Sequence, residues 1–102
     1  MNQTEFLNQL ELVSNSYTWT HDGTTLFGIA KNGHSRGLKY NPITALARST
    51  RLGDFSYNRR GTVAAARALG LSGKTVASIL SSNNRGNAQV VRGRMLNSLG
   101  VS

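Results

Sequence analysis

The chain contains no cysteine, a single proline and only four acidic residues among its 102 positions. Without cysteine there are no disulfides, no thiol nucleophile and no thiolate metal site. No apolar run approaches the ~18 residues of a membrane span, and the N-terminus lacks the basic start and apolar stretch of a signal peptide. We therefore expect a soluble, cytoplasmic protein with no membrane partner.

Basic residues outnumber acidic ones by twelve to four, which gives a formal net charge of +8. The excess is concentrated in the second half, where Asp54 is the only acidic residue after Gly53. Such an imbalance favours association with polyanions, above all nucleic acid. The seven basic residues of this half are Arg59, Arg60, Arg67, Lys74, Arg85, Arg92 and Arg94.

The first half has the pattern of a helix followed by a small antiparallel sheet. Asn2 and Glu5 have the spacing of a capping box, and apolar residues then recur at helical intervals as far as Val13. Turn-forming residues next separate three stretches rich in β-branched and aromatic side chains. These stretches predict a three-stranded meander at 17–20, 24–31 and 36–40.

A linking helix and a loop follow the meander. Asn41-Pro42 is a typical helix start, and the helix is predicted to run to about Leu52, with Gly53 as its left-handed terminator. Residues 54–61 have no sustained period and are predicted to form a loop. At this length we expect one α+β domain spanning residues 1–102, since domains take roughly 100 to 200 residues.

The remaining residues predict three helices. The first would be capped by Thr62 and end at Gly70, the second would be capped by Ser72 and run to about Ser82, and the third fits 87–99. Apolar side chains at helical spacing support each of them: Val63, Ala65, Ala66 and Leu69 in the first, Val76, Ile79 and Leu80 in the second, and Val91, Met95 and Leu99 in the third.

The stretch 62–83 has the residue types that a helix-turn-helix needs. These are a small residue at the helix crossing, a glycine in the turn, an apolar plug and apolar residues on the inner face of the second helix. They are supplied in order by Ala66, Gly70, Leu71, Val76 and Ile79. Ala66, Gly70-Leu71-Ser72, Thr75-Val76 and Ile79-Leu80 resemble the helix-turn-helix of bacterial repressors of the lac-repressor type.

This resemblance implies a regulator that binds duplex DNA. Ser72–Ser82 would be the recognition helix, with Gly73, Lys74, Ala77, Ser78 and Ser81 on its outer face. The arginines would neutralise phosphates. The residues expected to contact nucleic acid are Arg59, Arg60, Arg67, Ser72, Lys74, Thr75, Ser78, Arg85 and Arg92.

Other interpretations remain open. The same helices can form an αα-hairpin that only packs a core, in a structural or interaction module that docks an acidic protein partner or forms a homodimer. RNA is a further candidate partner. Tyr17 and Trp19 would share one strand face, as would Phe27 and Ile29 on the next strand. Aromatic residues on a sheet beside Lys31, Arg36 and Lys39 could stack single-stranded bases, although core packing explains them as well. Residues 40–45, Tyr-Asn-Pro-Ile-Thr-Ala, after a Trp-bearing hairpin also resemble small bacteriophage proteins. Together with the repressor-like motif, this resemblance implies a protein of a bacterium or a phage-infected cell.

Patterns that would indicate catalysis are weak. Residues 68–75 match a permissive phosphate-loop pattern, but they follow a predicted helix where that loop requires a buried strand. His21 and His34 lie in predicted turns, and the four carboxylates have no titratable cluster beside them. We therefore expect no enzyme, no metal site and no cofactor.

Overall fold

A computed structural model describes residues 1–21, 26–31, 33 and 36–84 of the chain, without the side chains of 3, 21, 78 and 81–84. The fold is α+β, with the order helix, three-stranded antiparallel sheet and then further helices. The predicted fold class is therefore confirmed. Residues 85–102, which include Arg85, Arg92, Arg94 and the helix expected at 87–99, lie outside the described residues.

Helix α1, Gln3–Val13, begins with the predicted capping box. The Asn2 side chain accepts a hydrogen bond from the Glu5 backbone N–H, and the Glu5 carboxylate accepts one from the Asn2 N–H. The apolar face of the helix buries Phe6, Leu7 and Leu10. A single 3₁₀ turn, Ser14–Ser16, leads from α1 into the sheet.

The sheet has strands β1 (Tyr17–His21), β2 (Leu26–Ala30) and β3 (Lys39–Tyr40) in the order β1-β2-β3. The meander is confirmed, but β3 is shorter than predicted. The backbone at Arg36 and Gly37 forms a turn, with Gly37 at φ 88° and its N–H donating to the Ala30 carbonyl. Those two residues therefore cannot extend the strand.

One face of the sheet packs against the helices. Tyr17 is 2 % exposed, and its hydroxyl donates to the Ala45 carbonyl, while the half-buried Trp19 donates from its ring nitrogen to the Ser14 carbonyl. Phe27 and Ile29 lie opposite Thr20 and Thr18 in the β1–β2 register, and thus on the other face. The two aromatic residues of β1 are consequently held by core contacts.

Helix α2, Pro42–Ser49, begins where predicted, with Asn41 as its N-cap. Its end differs from the prediction, because Arg51 and not Gly53 has the left-handed conformation that terminates it, at φ 61°. The N–H groups of Arg51 and Leu52 donate to the carbonyls of Arg48 and Ala47, which is a Schellman motif.

Two further helices, α3 (Arg59–Ala68) and α4 (Gly73–Asn84), complete the described fold. A single main cluster of buried side chains links α1, β2, α2, α3 and α4. It includes Phe6, Leu10, Leu26, Ile43, Leu46, Ala65, Ala66, Leu69 and Ile79. The helical second half thus packs against the same core as the first, and this packing fixes which faces of α3 and α4 point outward.

Candidate nucleic-acid interface

Helix α3 begins earlier than the sequence predicted. Its N-cap is Asn58, whose side chain accepts from the Gly61 N–H at 2.7 Å, so Arg59 and Arg60 occupy the first helical turn instead of a loop. Thr62 is not a cap. It is 4 % exposed, and its hydroxyl donates to the Asn58 carbonyl at 2.7 Å.

The exposed face of α3 carries three arginines. Arg59, Arg60 and Arg67 are all exposed, and they surround a shallow surface depression together with Val63 and Ala64. At 100° per residue these five positions share one side of the helix. Val63 is 39 % exposed, because the inward side of α3 is formed by Gly61, Thr62, Ala65 and Ala66.

The charge on this face is unbalanced. Asp54 is the last acidic residue of the chain, and its carboxylate accepts a 2.6 Å hydrogen bond from the Tyr40 hydroxyl. Within the described part of the chain Arg59, Arg60 and Arg67 form no ion pair, and all three side chains are exposed to solvent. Positive charge clustered in this way attracts polyanions at long range.

Arg48 differs from these arginines, because its side chain contacts other residues of the fold. It lies half-buried over the rings of Tyr17 and Tyr40, 5.5 Å from each ring centroid. Its hydrogen bond to the Tyr17 hydroxyl outweighs the opposing effect of burial and raises the pKa of Arg48 above its ordinary value. Arg48 thus anchors the sheet to α2, and it is not part of the basic face.

The connection between α3 and α4 has the geometry that the sequence suggested. Gly70 adopts φ 71°, and the N–H groups of Gly70 and Leu71 donate to the carbonyls of Arg67 and Ala66. This Schellman motif ends α3 and turns the chain toward α4, and the half-buried Leu71 packs against the main core. The terminal ammonium of Met1 donates to the Gly70 carbonyl at 3.0 Å, which holds the turn against the start of the chain.

The start of α4 holds the other predicted contact residues. Ser72 caps it, accepting at 3.2 Å from the Thr75 N–H and donating to the Thr75 hydroxyl at 2.9 Å. Lys74 is exposed, whereas Val76, predicted to be buried, is half-buried; Ile79 is fully buried as predicted. Ser72, Lys74 and Thr75 do not line the depression around the α3 arginines.

The expected outer face of α4 is only partly as predicted. Gly73 and Ala77 are exposed, but they line a groove between α3 and α4 and lie to one side of Lys74. The side chains of Ser78 and Ser81 are among those that the structure leaves undescribed. Within the described residues, Lys74 is thus the one charged side chain that α4 presents to solvent.

Residues 68–75 form the end of α3, the turn and the start of α4, and this is not the strand-loop-helix context of a phosphate loop. Within the described ranges no group of three or more histidine or acidic residues is placed to hold a metal ion. No helix in that part of the chain is long and apolar enough to cross a membrane.

Comparisons with known protein families, with characterised proteins and with solved structures give no match.

Sequence reasoning missed two features of this region. The first is the N-cap at Asn58, which no acidic or apolar residue follows in the first turn to mark a helix start. The second is the groove between α3 and α4, which depends on how far apart the two helices lie and therefore requires the structure. The arginines themselves were identified by charge alone.

Proposed function

We propose that the chain is a non-enzymatic nucleic-acid-binding protein that binds duplex DNA through α3 and α4. The observation that carries this proposal is the arrangement of Arg59, Arg60 and Arg67 on one exposed face of α3, in a half of the chain with no acidic residue after Asp54. Three positively charged side chains spread along one helix can contact successive backbone phosphates of a duplex, whereas a small ligand would be too short to reach all three.

The two helices would have different roles. The arginines of α3 would neutralise phosphates and so contribute affinity without sequence preference. Helix α4 joins α3 through the Gly70 turn and exposes Lys74 near its N-terminus, where a side chain entering the major groove can contact a base edge. A regulatory function would follow from such sequence preference.

Binding should be measured by fluorescence anisotropy with labelled duplex DNA, single-stranded DNA and RNA of equal length. If about five phosphates are neutralised, log affinity plotted against log salt concentration should have a slope near −4 to −5 on the duplex. Tighter binding to RNA would favour the RNA-binding alternative. Absence of binding at low salt, or a slope near zero, would contradict the proposal and favour a module that docks an acidic protein.

A matched pair of variants separates the α3 face from net charge. Replacing Arg59, Arg60 and Arg67 with glutamine should reduce the slope by about 2.7, because each phosphate contact contributes about 0.9. The control replaces three exposed cations elsewhere with glutamine, which produces the same net charge. These three are Lys31, Arg36 and Arg51. Equal losses in the two variants would show that binding follows overall charge and not this interface.

A further inference from the structure

A groove of about 830 Å³ lies between α3 and α4, with a largely apolar lining. Its wall on α3 includes the exposed Val63, and its wall on α4 includes Val76 and Leu80, both half-buried. Ile79 on α4 is fully buried in the main core, so Val76 and Leu80 extend the apolar stripe of this helix beyond what the core covers. The apolar residues that line the groove are Val63, Ala66, Leu71, Val76, Ala77 and Leu80.

The chain continues for eighteen residues after α4 ends at Asn84. The sequence predicts a helix at 87–99, separated from α4 by only Arg85 and Gly86. Connections this short place the next helix directly beside the one before it. Thirteen helical residues extend about 20 Å, against about 18 Å for the twelve residues of α4, so the two lengths match.

The predicted segment also has the chemistry that the groove requires. Val91, Met95 and Leu99 recur every four residues and would form one apolar row along the helix. Burial of this row against Val63, Val76 and Leu80 would remove apolar surface from water on both partners. Because the segment is tethered next to the groove, its effective concentration exceeds that of any second copy at ordinary protein concentrations.

We propose that the groove between α3 and α4 is the docking site for residues 87–99 of the same chain. Docking would cover Gly73 and Ala77, which were expected to face a partner, and would leave Lys74 as the exposed side chain at the start of α4. The proposal goes beyond nucleic-acid binding and does not rest on it.

The absence of cysteine allows a direct cross-linking test in the full chain. Val63→Cys is combined in turn with Val91→Cys, Met95→Cys or Leu99→Cys, and each protein is oxidised at low concentration. At least one pair should form a monomeric disulfide, seen by faster migration without reductant. The control combines Leu12→Cys with each of the same three substitutions, since Leu12 is 77 % exposed on α1 and does not line the groove.

Two outcomes would overturn the proposal. The first is a monomeric disulfide yield no higher than that of the Leu12 controls for all three pairs. The second is a disulfide-linked dimer whose yield rises with protein concentration, which would make a second copy the occupant. Circular dichroism of each reduced variant identifies pairs that fail to fold.

A second measurement covers the case in which the paired variants do not fold. The thiol of the single variant Val63→Cys should react with a maleimide several-fold more slowly in the otherwise unchanged full chain than when Val91→Asp and Met95→Asp are also present. Equal rates in the two folded proteins would overturn the proposal. Neither assay contains nucleic acid, so its result is independent of whether the chain binds DNA.

Discussion

The side-chain amide of Asn41 donates a 2.8 Å hydrogen bond to the hydroxyl of Thr62, and both residues are buried. The side-chain Oδ1 of Asn41 accepts from the Thr44 N–H as the N-cap of α2, and the Thr62 hydroxyl donates to the Asn58 backbone carbonyl. One chain of buried hydrogen bonds therefore connects the start of α2 with the first turns of α3, across 21 positions of sequence.

Thr62→Val should destabilise the protein by about 1 to 3 kcal/mol, because it keeps the side-chain volume but leaves the buried Asn41 amide without its acceptor. Urea denaturation measures this change in the free energy of unfolding. In a double-mutant cycle with Asn41→Ala, the double variant should lose less free energy of unfolding than the sum of the two single variants, by about 0.5 to 3 kcal/mol. Strict additivity would show that the pair is not coupled.

Gly70→Val should cost on the order of 1 to 2 kcal/mol, since Gly70 has φ 71° and a β-branched residue is strained there. Apart from Gly70 and its two chain neighbours, no atom of the described residues lies within 4 Å of the position that a Cβ would take, so the expected cause is backbone strain. Gly73→Ala is the matched control, because Gly73 has equal space but lies in α4, and the change should be neutral or stabilising. Equal thermal stability of the two variants would contradict the strained turn.

Arg51→Gly should stabilise the protein by up to about 1 kcal/mol. Arg51 terminates α2 at φ 61°, a conformation that glycine adopts without the penalty that a Cβ incurs. The control is Arg51→Ala, which removes the same charge but retains the Cβ. A melting temperature no higher for the glycine variant than for the alanine variant would contradict the argument.

Lys74→Ala should leave stability within about ±0.5 kcal/mol, because Lys74 is exposed. If α4 contacts base edges, the change should weaken binding to a duplex selected from a random library more than binding to random duplex. Arg59→Ala with Arg60→Ala should weaken both equally, since phosphates carry no sequence information. A Lys74→Ala protein that is folded and retains full discrimination would remove α4 as the recognition helix.

Local signals in the sequence were sufficient for the order of the elements in the first half of the fold and for the starts of α1 and α2. The capping box at Asn2 depends on residues three positions apart, and Asn41-Pro42 is a typical helix start. Turn-forming residues between β-branched and aromatic stretches mark the β1–β2 hairpin. The terminator of α2 was mispredicted because glycine is the usual residue in that conformation, and here Arg51 adopts it instead. Nothing in the adjacent residues distinguishes Arg51 from an ordinary last-turn arginine.

The candidate site was predictable in composition but not in arrangement. Charge counting identified Arg59, Arg60 and Arg67, whereas their common face depends on where α3 starts. Val63 is exposed although valine is usually buried, because the inward side of α3 is built from alanine, threonine and glycine that pack against α2. Which side of a helix faces inward is decided by its neighbours, and no local pattern contains that information.

The backbone of α3 at Gly61 lies directly against Ser56, and any Cβ at position 61 would overlap the Ser56 carbonyl oxygen. Glycine at position 61 therefore lets the loop before α3 fold back closely onto the first turn of the helix. A larger residue at position 61 would displace this loop from the turn that carries Arg59 and Arg60. The support beneath the first turn of the basic face thus includes a residue that carries neither charge nor side chain.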